Sequence, residues 1–251
     1  MDKQEWTSAR IAAEQPFVTL SSGAKMPVIG LGTYDAEEGD VKAVVKAAVL
    51  EHGYRHVDTA RVYNNEERVG EALQECMQQG VRREDLFVVT KLWHDADKED
   101  VEQALRRQLK ALRLDYVDLY LVHWMLPAID FTGADLVIGR TPSQRVWEQL
   151  ERCVELGLVR SIGVSNCTIP MLLDLLTYCK IKPVVNQVEL HPYLVQREFV
   201  AFQKRLGVEV TAYAPLGAFN WPFKREEHKH LNVLKEPLVS ALAAKYGRPA
   251  G

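Results

Sequence analysis

Apolar residues fall into short dense runs, separated by segments in which they recur every three or four positions. The runs Val28–Tyr34, Tyr54–Asp58, Leu86–Leu92, Val117–Trp124, Val159–Ser165, Val184–Glu189 and Val208–Ala214 read as strands. Between and after them the segments Val41–His52, Glu66–Gln79, Glu99–Leu112, Ser143–Leu156, Pro170–Cys179, Arg197–Leu206 and Pro237–Tyr246 carry the helical step. Ahead of the first unit, two short apolar stretches flank Ser21-Ser22-Gly23 and predict a β-hairpin over residues 17–27. Gly53, Gly80, Gly157, Gly207 and Gly247 each stand just past a helix, where a left-handed residue ends the last turn. Asp97 is placed to cap the helix that follows, with Asp100 adding charge to its first turn.

Strands apolar on both faces, alternating with helices, mean a parallel sheet covered by helices. No G-x-G-x-x-G follows the first strand, so the repetition favours a closed barrel over an open nucleotide-binding sheet. The expected fold class is therefore α/β: a (β/α)8 TIM barrel forming one domain over residues 1–251, with seven of the eight strand–helix units present. The sequence stops at Lys245–Gly251, where an eighth strand should begin. Seven parallel strands close poorly and leave two unpaired edges. Either further residues belong to the protein or it is a truncated barrel, and the first is the expectation.

Composition narrows the function classes. A net charge of −3 and a pI near 6.2 give no electrostatic basis for nucleic-acid binding. No apolar run approaches the roughly 18 residues of a membrane span, and Met1–Trp6 lacks a signal-peptide pattern, so the expected compartment is the cytoplasm. Cys76, Cys153, Cys167 and Cys179 are widely spaced, which predicts free thiols. His228 and His230 lie in the mixed-charge run Lys224–His230, with no cysteine or acid at ligand spacing, so no metal site is expected.

The strand ends carry polar groups that core packing would not choose. In order they are Thr33 and Tyr34, Asp58 with Tyr63 five residues on, Lys91 to Trp93, His123 and Trp124, Ser165 and Asn166, Asn186 and Gln187, and Tyr213. Each has a plain structural reading: Asp58 as a helix cap, Lys91 as a rim lysine, His123 as a satisfied buried histidine, the tryptophans as core. Together, at the strand ends where barrel chemistry sits, they suggest a proton donor for a carbonyl. A free phenol is slow to exchange protons at neutral pH, and an adjacent ammonium lowers its pKa. Lys91, held charged by Asp58, is expected to do this to Tyr63 while His123 donates a hydrogen bond to the carbonyl oxygen. Such a site lacks a hydride source, so a cofactor must lie beside it.

Gly53-Tyr-Arg-His-Val-Asp-Thr-Ala, five residues and then Glu66-x-x-Val69-Gly70 resemble the first signature of the aldo-keto reductases. Gly157-Leu-Val-Arg-Ser-Ile-Gly-Val-Ser165-Asn166 resembles the second, with Cys167 in place of the usual aromatic, and Gln187-x-Glu189-x-His191-Pro192 and Ala214-Pro-Leu-Gly217 are also familiar. The resemblance implies NADPH-dependent reduction of aldehydes and ketones by a catalytic tetrad of Asp58, Tyr63, Lys91 and His123, Tyr63 being the general acid. It implies that Ser165, Asn166 and Gln187 bind the nicotinamide carboxamide and that Tyr213 stacks on the ring. Thr33 and Asp58 would contact the ribose, Leu216 and Gly217 the pyrophosphate, and Tyr34, Trp93 and Trp124 would line an apolar substrate pocket. The family motif that reads the adenosine 2′-phosphate would fall beyond Gly251, so NADPH rests on the resemblance and NADH stays open. A small carbonyl substrate and a monomer are implied likewise. Two other functions fit the same residues: a non-catalytic cofactor-binding regulatory subunit, and a Schiff-base aldolase using Lys91.

Overall fold

Phe87–Leu92 and Val117–Val122 are almost wholly buried on both faces, because one face meets a layer of helices and the other the interior of a curled sheet. A computed structural model describes residues 14–36, 38–93, 100–125, 128–130, 137–217 and 231–250. The strands are β1 (Phe17–Thr19), β2 (Lys25–Pro27), β3 (Leu31–Gly32), β4 (His56–Asp58), β5 (Phe87–Leu92), β6 (Val117–Val122), β7 (Ala128–Asp130), β8 (Val137–Ile138), β9 (Val159–Ser165), β10 (Val185–Glu189) and β11 (Glu209–Tyr213). The helices are α1 (Glu38–Leu50), α2 (Glu66–Gln78), α3 (Val101–Leu112), α4 (Ser143–Glu155), α5 (Ile169–Tyr178), α6 (Arg197–Arg205) and α7 (Pro237–Tyr246). Seven strands form one parallel sheet in the order β11-β10-β9-β6-β5-β4-β3, and β1–β2 and β7–β8 are antiparallel hairpins.

The sheet is curled into an incomplete barrel. β10 and β4 stand four steps apart in the sheet, which in a flat sheet is about 19 Å at roughly 4.8 Å per strand. Yet Gln187 in the middle of β10 donates to Asp58 at the end of β4 over 2.8 Å. The inner cluster joins Phe87, Val89, Leu119, Leu121, Val184 and Val185 to Leu20 and Met26 of the N-terminal hairpin, which plugs the barrel. A larger outer cluster packs the other strand faces against the helices. In α3, Val101, Ala104, Leu105, Leu109 and Leu112 form the buried stripe. Gly70 lets α2 approach α3 so closely that a methyl group there would sit 2.4 Å from the Ala111 carbonyl oxygen.

Several boundaries differ from expectation. β3 is two residues rather than Val28–Tyr34: Leu31 and Gly32 pair in register with Val57 and Asp58 of β4, and a last backbone bond from the Thr33 N–H to the Asp58 carbonyl ends the pairing. Val28 and Ile29 are held instead by the N-terminal arm: Val28 N–H donates to the Pro16 carbonyl and Gln15 to the Ile29 carbonyl. β4 begins at His56, not Tyr54, since the Tyr54 N–H turns back to the Ala48 carbonyl. α3 starts at Val101, capped by the Asp100 carboxylate accepting from the Glu102 N–H at 2.8 Å. The proposed cap Asp97 lies outside the described residues, as do His228 and His230. The β7–β8 hairpin was not anticipated at all. The five helix-ending glycines have positive φ as expected, from 59° to 98°. The cysteines are unbridged.

The two edges of the sheet are β3 and β11. Every residue of β11 is only half-buried, and α7 buries none of its residues, leaving Leu238 and Tyr246 about 70 % exposed at 71 % and 67 %. Among the described residues no helix is long and apolar enough to cross a membrane.

Candidate active site

Parallel strands all end on one side of the sheet, so residues at successive C-terminal ends share one mouth. Asp58 closes β4 and Lys91 is the penultimate residue of β5. Lys91 points inward with Val89, whose register places it beside Leu119 of β6. A 3-10 turn over Arg61–Tyr63, ended by Asn64 in the left-handed region at φ 54°, swings Tyr63 back over the mouth.

The Lys91 ammonium is fully buried. It is ion-paired with Asp58, donates to the Thr59 carbonyl at 2.9 Å, and reaches the Tyr63 hydroxyl at 3.3 Å. Burial alone would depress the lysine's pKa, but the charges and hydrogen bonds of Asp58 and Tyr63 outweigh it and hold the ammonium above its usual range. For Tyr63 the balance runs the other way. Burial raises the phenol's pKa more than Lys91 lowers it, with Asp58 adding to the rise. This corrects the expected direction: in the resting site the phenol is held protonated, and the nearby ammonium limits a rise it does not reverse.

His123 follows β6, its ring edge-on to Tyr63 with centroids 5.9 Å apart and an interplanar angle of 84°. Trp93 packs edge-on against His123 at 5.1 Å, and Tyr34 against Tyr63 at 5.1 Å. The expected tetrad is thus one cluster, flanked by two of the three expected pocket aromatics. Trp124, half-buried, follows directly after His123.

The ends of β9 to β11 bring a second polar set alongside. The Ser165 hydroxyl donates to the Gln187 carbonyl at 2.8 Å, and Asn166 donates to the His123 carbonyl at 3.1 Å. Asn166 adopts the left-handed conformation at φ 54°, which asparagine tolerates better than most residues. Its amide oxygen accepts from the Tyr213 hydroxyl at 2.9 Å, and burial pushes that phenol's pKa up to about 12. The Gln187 amide nitrogen donates to Asp58, which joins this set to the tetrad.

Thr33 borders the tetrad through its N–H, which donates to the Asp58 carbonyl at 3.0 Å. Thr33 is 2 % exposed, its hydroxyl turned to Asn65 at 3.4 Å. Leu216 and Gly217 lie in the turn beyond β11, with Gly217 against Val233. Sequence reasoning missed Asn65, Thr59 and Gln108. Asn65 reads as an ordinary helix cap, but Gln108 carried a usable signal: it is polar in the middle of the apolar stripe of α3.

The aldo/keto reductase family model matches residues 28–244. The chain belongs to the aldo/keto reductase family. It is 45 % identical to human aldo-keto reductase family 1 member A1, with 92 % of this chain and 73 % of that protein covered. Against the chicken protein of the same name identity is 44 %, covering 92 % and 72 %. The structure of the aldose reductase from Schistosoma japonicum superposes with a TM-score of 0.82 at 36 % identity, covering 94 % of this chain and 76 % of that one. This aldo/keto reductase is an NAD(P)H-dependent oxidoreductase whose reaction is carbonyl reduction.

Proposed function

We propose that the reductase converts small aldehydes and ketones to alcohols with NADPH, Tyr63 acting as the general acid. The observation that carries this reading is the buried Lys91 ammonium, kept charged by Asp58, 3.3 Å from the Tyr63 oxygen. Burial keeps the phenol protonated at rest, so it has a proton to give. When the proton leaves for a carbonyl oxygen, the negative charge left on Tyr63 lies beside a cation already in place, and no rearrangement is required. His123 would donate to the same oxygen, and Tyr34, Trp93 and Trp124 would give the substrate apolar walls.

The residues beside the tetrad suit a nicotinamide. A carboxamide needs both donors and an acceptor, and Ser165 and Asn166 at the end of β9 and Gln187 within β10 carry both. When bound, the reduced nicotinamide supplies the hydride. Ser165, Asn166 and Gln187 would hold its carboxamide, the Tyr213 ring would lie against it, Thr33 and Asp58 would face the ribose, and Leu216 and Gly217 the pyrophosphate. NADPH is preferred over NADH on family grounds. The held charge on Lys91 speaks against the aldolase reading, because an ammonium has no lone pair for a carbonyl carbon.

The test is cofactor oxidation with a nitrobenzaldehyde, using NADPH and NADH in parallel. Tyr63→Phe should lower turnover by about 10²–10⁴-fold, the usual contribution of a general acid, while still binding NADPH by fluorescence titration. Wild-type turnover in Tyr63→Phe would reject the assignment.

A further inference from the structure

Asn65 stands at the N-cap of α2, yet its side chain makes no cap hydrogen bond to the helix. It is 3 % exposed and spends its amide on two strand ends instead. Its nitrogen donates to the Thr33 carbonyl at 2.8 Å, and its oxygen accepts from the Thr59 hydroxyl at 3.2 Å. Thr59 is the residue whose carbonyl accepts from the Lys91 ammonium. The next residue, Glu66, is 6 % exposed and reaches the other way. Its carboxylate accepts from Thr90 at 2.6 Å and from Gln108 at 2.9 Å. Gln108, itself held by the Tyr120 hydroxyl at 2.7 Å, donates to the Lys91 carbonyl at 3.2 Å. The start of α2 therefore grips the lysine at both ends, through the carbonyl that receives its ammonium and through its own backbone.

Resting on the functional reading above, we infer that Asn65 is a positioning residue for this reaction, with Glu66 and Gln108 as its counterpart: it fixes the Thr59 carbonyl and so keeps the Lys91 ammonium beside the Tyr63 hydroxyl. Neither Asn65 nor Gln108 touches the tetrad side chains by a hydrogen bond, so the effect runs through Thr59 and the β5 backbone. The titratable groups around the phenol are Lys91, Asp58, Tyr34, His123 and Tyr213. Of these, Lys91 is held by the network through the Thr59 carbonyl, and Asp58 is tied to it through the Thr33 N–H, which donates to the Asp58 carbonyl at 3.0 Å. If Asn65 is removed, the ammonium drifts, the phenolate loses its stabiliser, and the ionisation that governs catalysis moves to higher pH.

The experiment measures pH–rate profiles for alcohol oxidation, which requires the phenolate, in wild type, Asn65→Ala and Thr59→Val, with cofactor affinity read by fluorescence titration. Thr59→Val replaces a hydroxyl with a methyl at nearly constant volume and carries the test if Asn65→Ala does not fold. The expected result in both variants is a fall of about tenfold or more in turnover, in keeping with the steep cost of misplacing a reacting group, and an acid limb displaced to higher pH, with cofactor affinity within about twofold of wild type in Thr59→Val, which leaves the Asn65 contact to Thr33 in place. An unmoved pH profile overturns the inference, whether turnover falls or not, because a merely structural role would lower yield or rate without displacing the ionisation. Tyr63→Phe, run alongside, separates the two claims. If it stays active the functional reading fails, and if it is inactive while the pH profile of Thr59→Val matches wild type only the positioning role fails.

Discussion

Replacing Asp58 with asparagine should destabilise the protein through the lysine it leaves behind. Lys91 is fully buried, and Asp58 is its ion-pair partner. Removing one member of a buried pair costs about 3–5 kcal/mol, because the surviving charge is left uncompensated. The lower end applies here, since the Thr59 carbonyl, the Tyr63 hydroxyl and the new amide oxygen can still accept from the ammonium. The pH dependence identifies the cause. In the wild type the carboxylate holds the lysine's pKa above its unfolded value, so the pair's contribution is complete at neutral pH and is lost only as pH rises through the folded value. In Asp58→Asn, burial is opposed only by Tyr63 and by neutral acceptors, and the folded value drops below the unfolded one. The penalty is then fullest at neutral pH and shrinks as pH climbs toward about 10, near an unfolded lysine's reference pKa. Urea denaturation of both proteins at pH 7 and pH 9.5 checks this. The gap should be about 3 kcal/mol at pH 7 and clearly smaller at pH 9.5. A gap under about 1 kcal/mol, or one that does not change with pH, refutes the argument that an isolated buried cation is what destabilises the variant.

Elsewhere the fold makes further predictions. Glu151 is 5 % exposed and accepts from the Lys180 and Ile181 N–H groups at 2.6 and 2.8 Å. Glu151→Ala should therefore cost about 2–3 kcal/mol in chemical denaturation by stranding both donors. Gly70→Ala should cost about 1–3 kcal/mol, because the added methyl meets the α3 backbone and one of the two helices must shift. His56 is buried and its pKa lowered chiefly by desolvation, so its imidazole should stay neutral when exposed histidines protonate near pH 6, as read by NMR. Burial pushes Cys153 and Cys167 to about 12, so iodoacetamide at pH 8 should leave both unmodified in the native protein and label them in urea, by mass spectrometry.

The elements that were legible from the pattern alone are those whose burial repeats regularly. β5 and β6 are mostly apolar and buried on both faces, and α3 carries an apolar stripe interrupted by Gln108, so periodicity located them to within two residues. β3 was overestimated because Val28 and Ile29 look like strand residues, while the backbone partner they need lies in the N-terminal arm and not in the sheet. That Asp58, Tyr63, Lys91 and His123 would gather in one cluster was legible because polar groups at strand ends stand out against apolar runs. The direction of the Tyr63 shift was not, because charge proximity can be guessed from a motif whereas burial depends on what the rest of the chain places over the ring. Asn65 was invisible for a related reason. An asparagine before a helix has an ordinary use as a cap, and only the structure places its amide on Thr33 and Thr59 instead.

The central claim is that Tyr63 protonates a carbonyl oxygen held between itself and His123, next to a nicotinamide bound by Ser165, Asn166 and Gln187. A crystal structure with oxidised cofactor and an unreactive carbonyl analogue tests it most directly. The account predicts the analogue's oxygen within hydrogen-bonding distance of both the Tyr63 hydroxyl and the His123 ring, with the carboxamide on Ser165, Asn166 and Gln187. An analogue oxygen directed away from Tyr63, or a nicotinamide seated elsewhere, would contradict it.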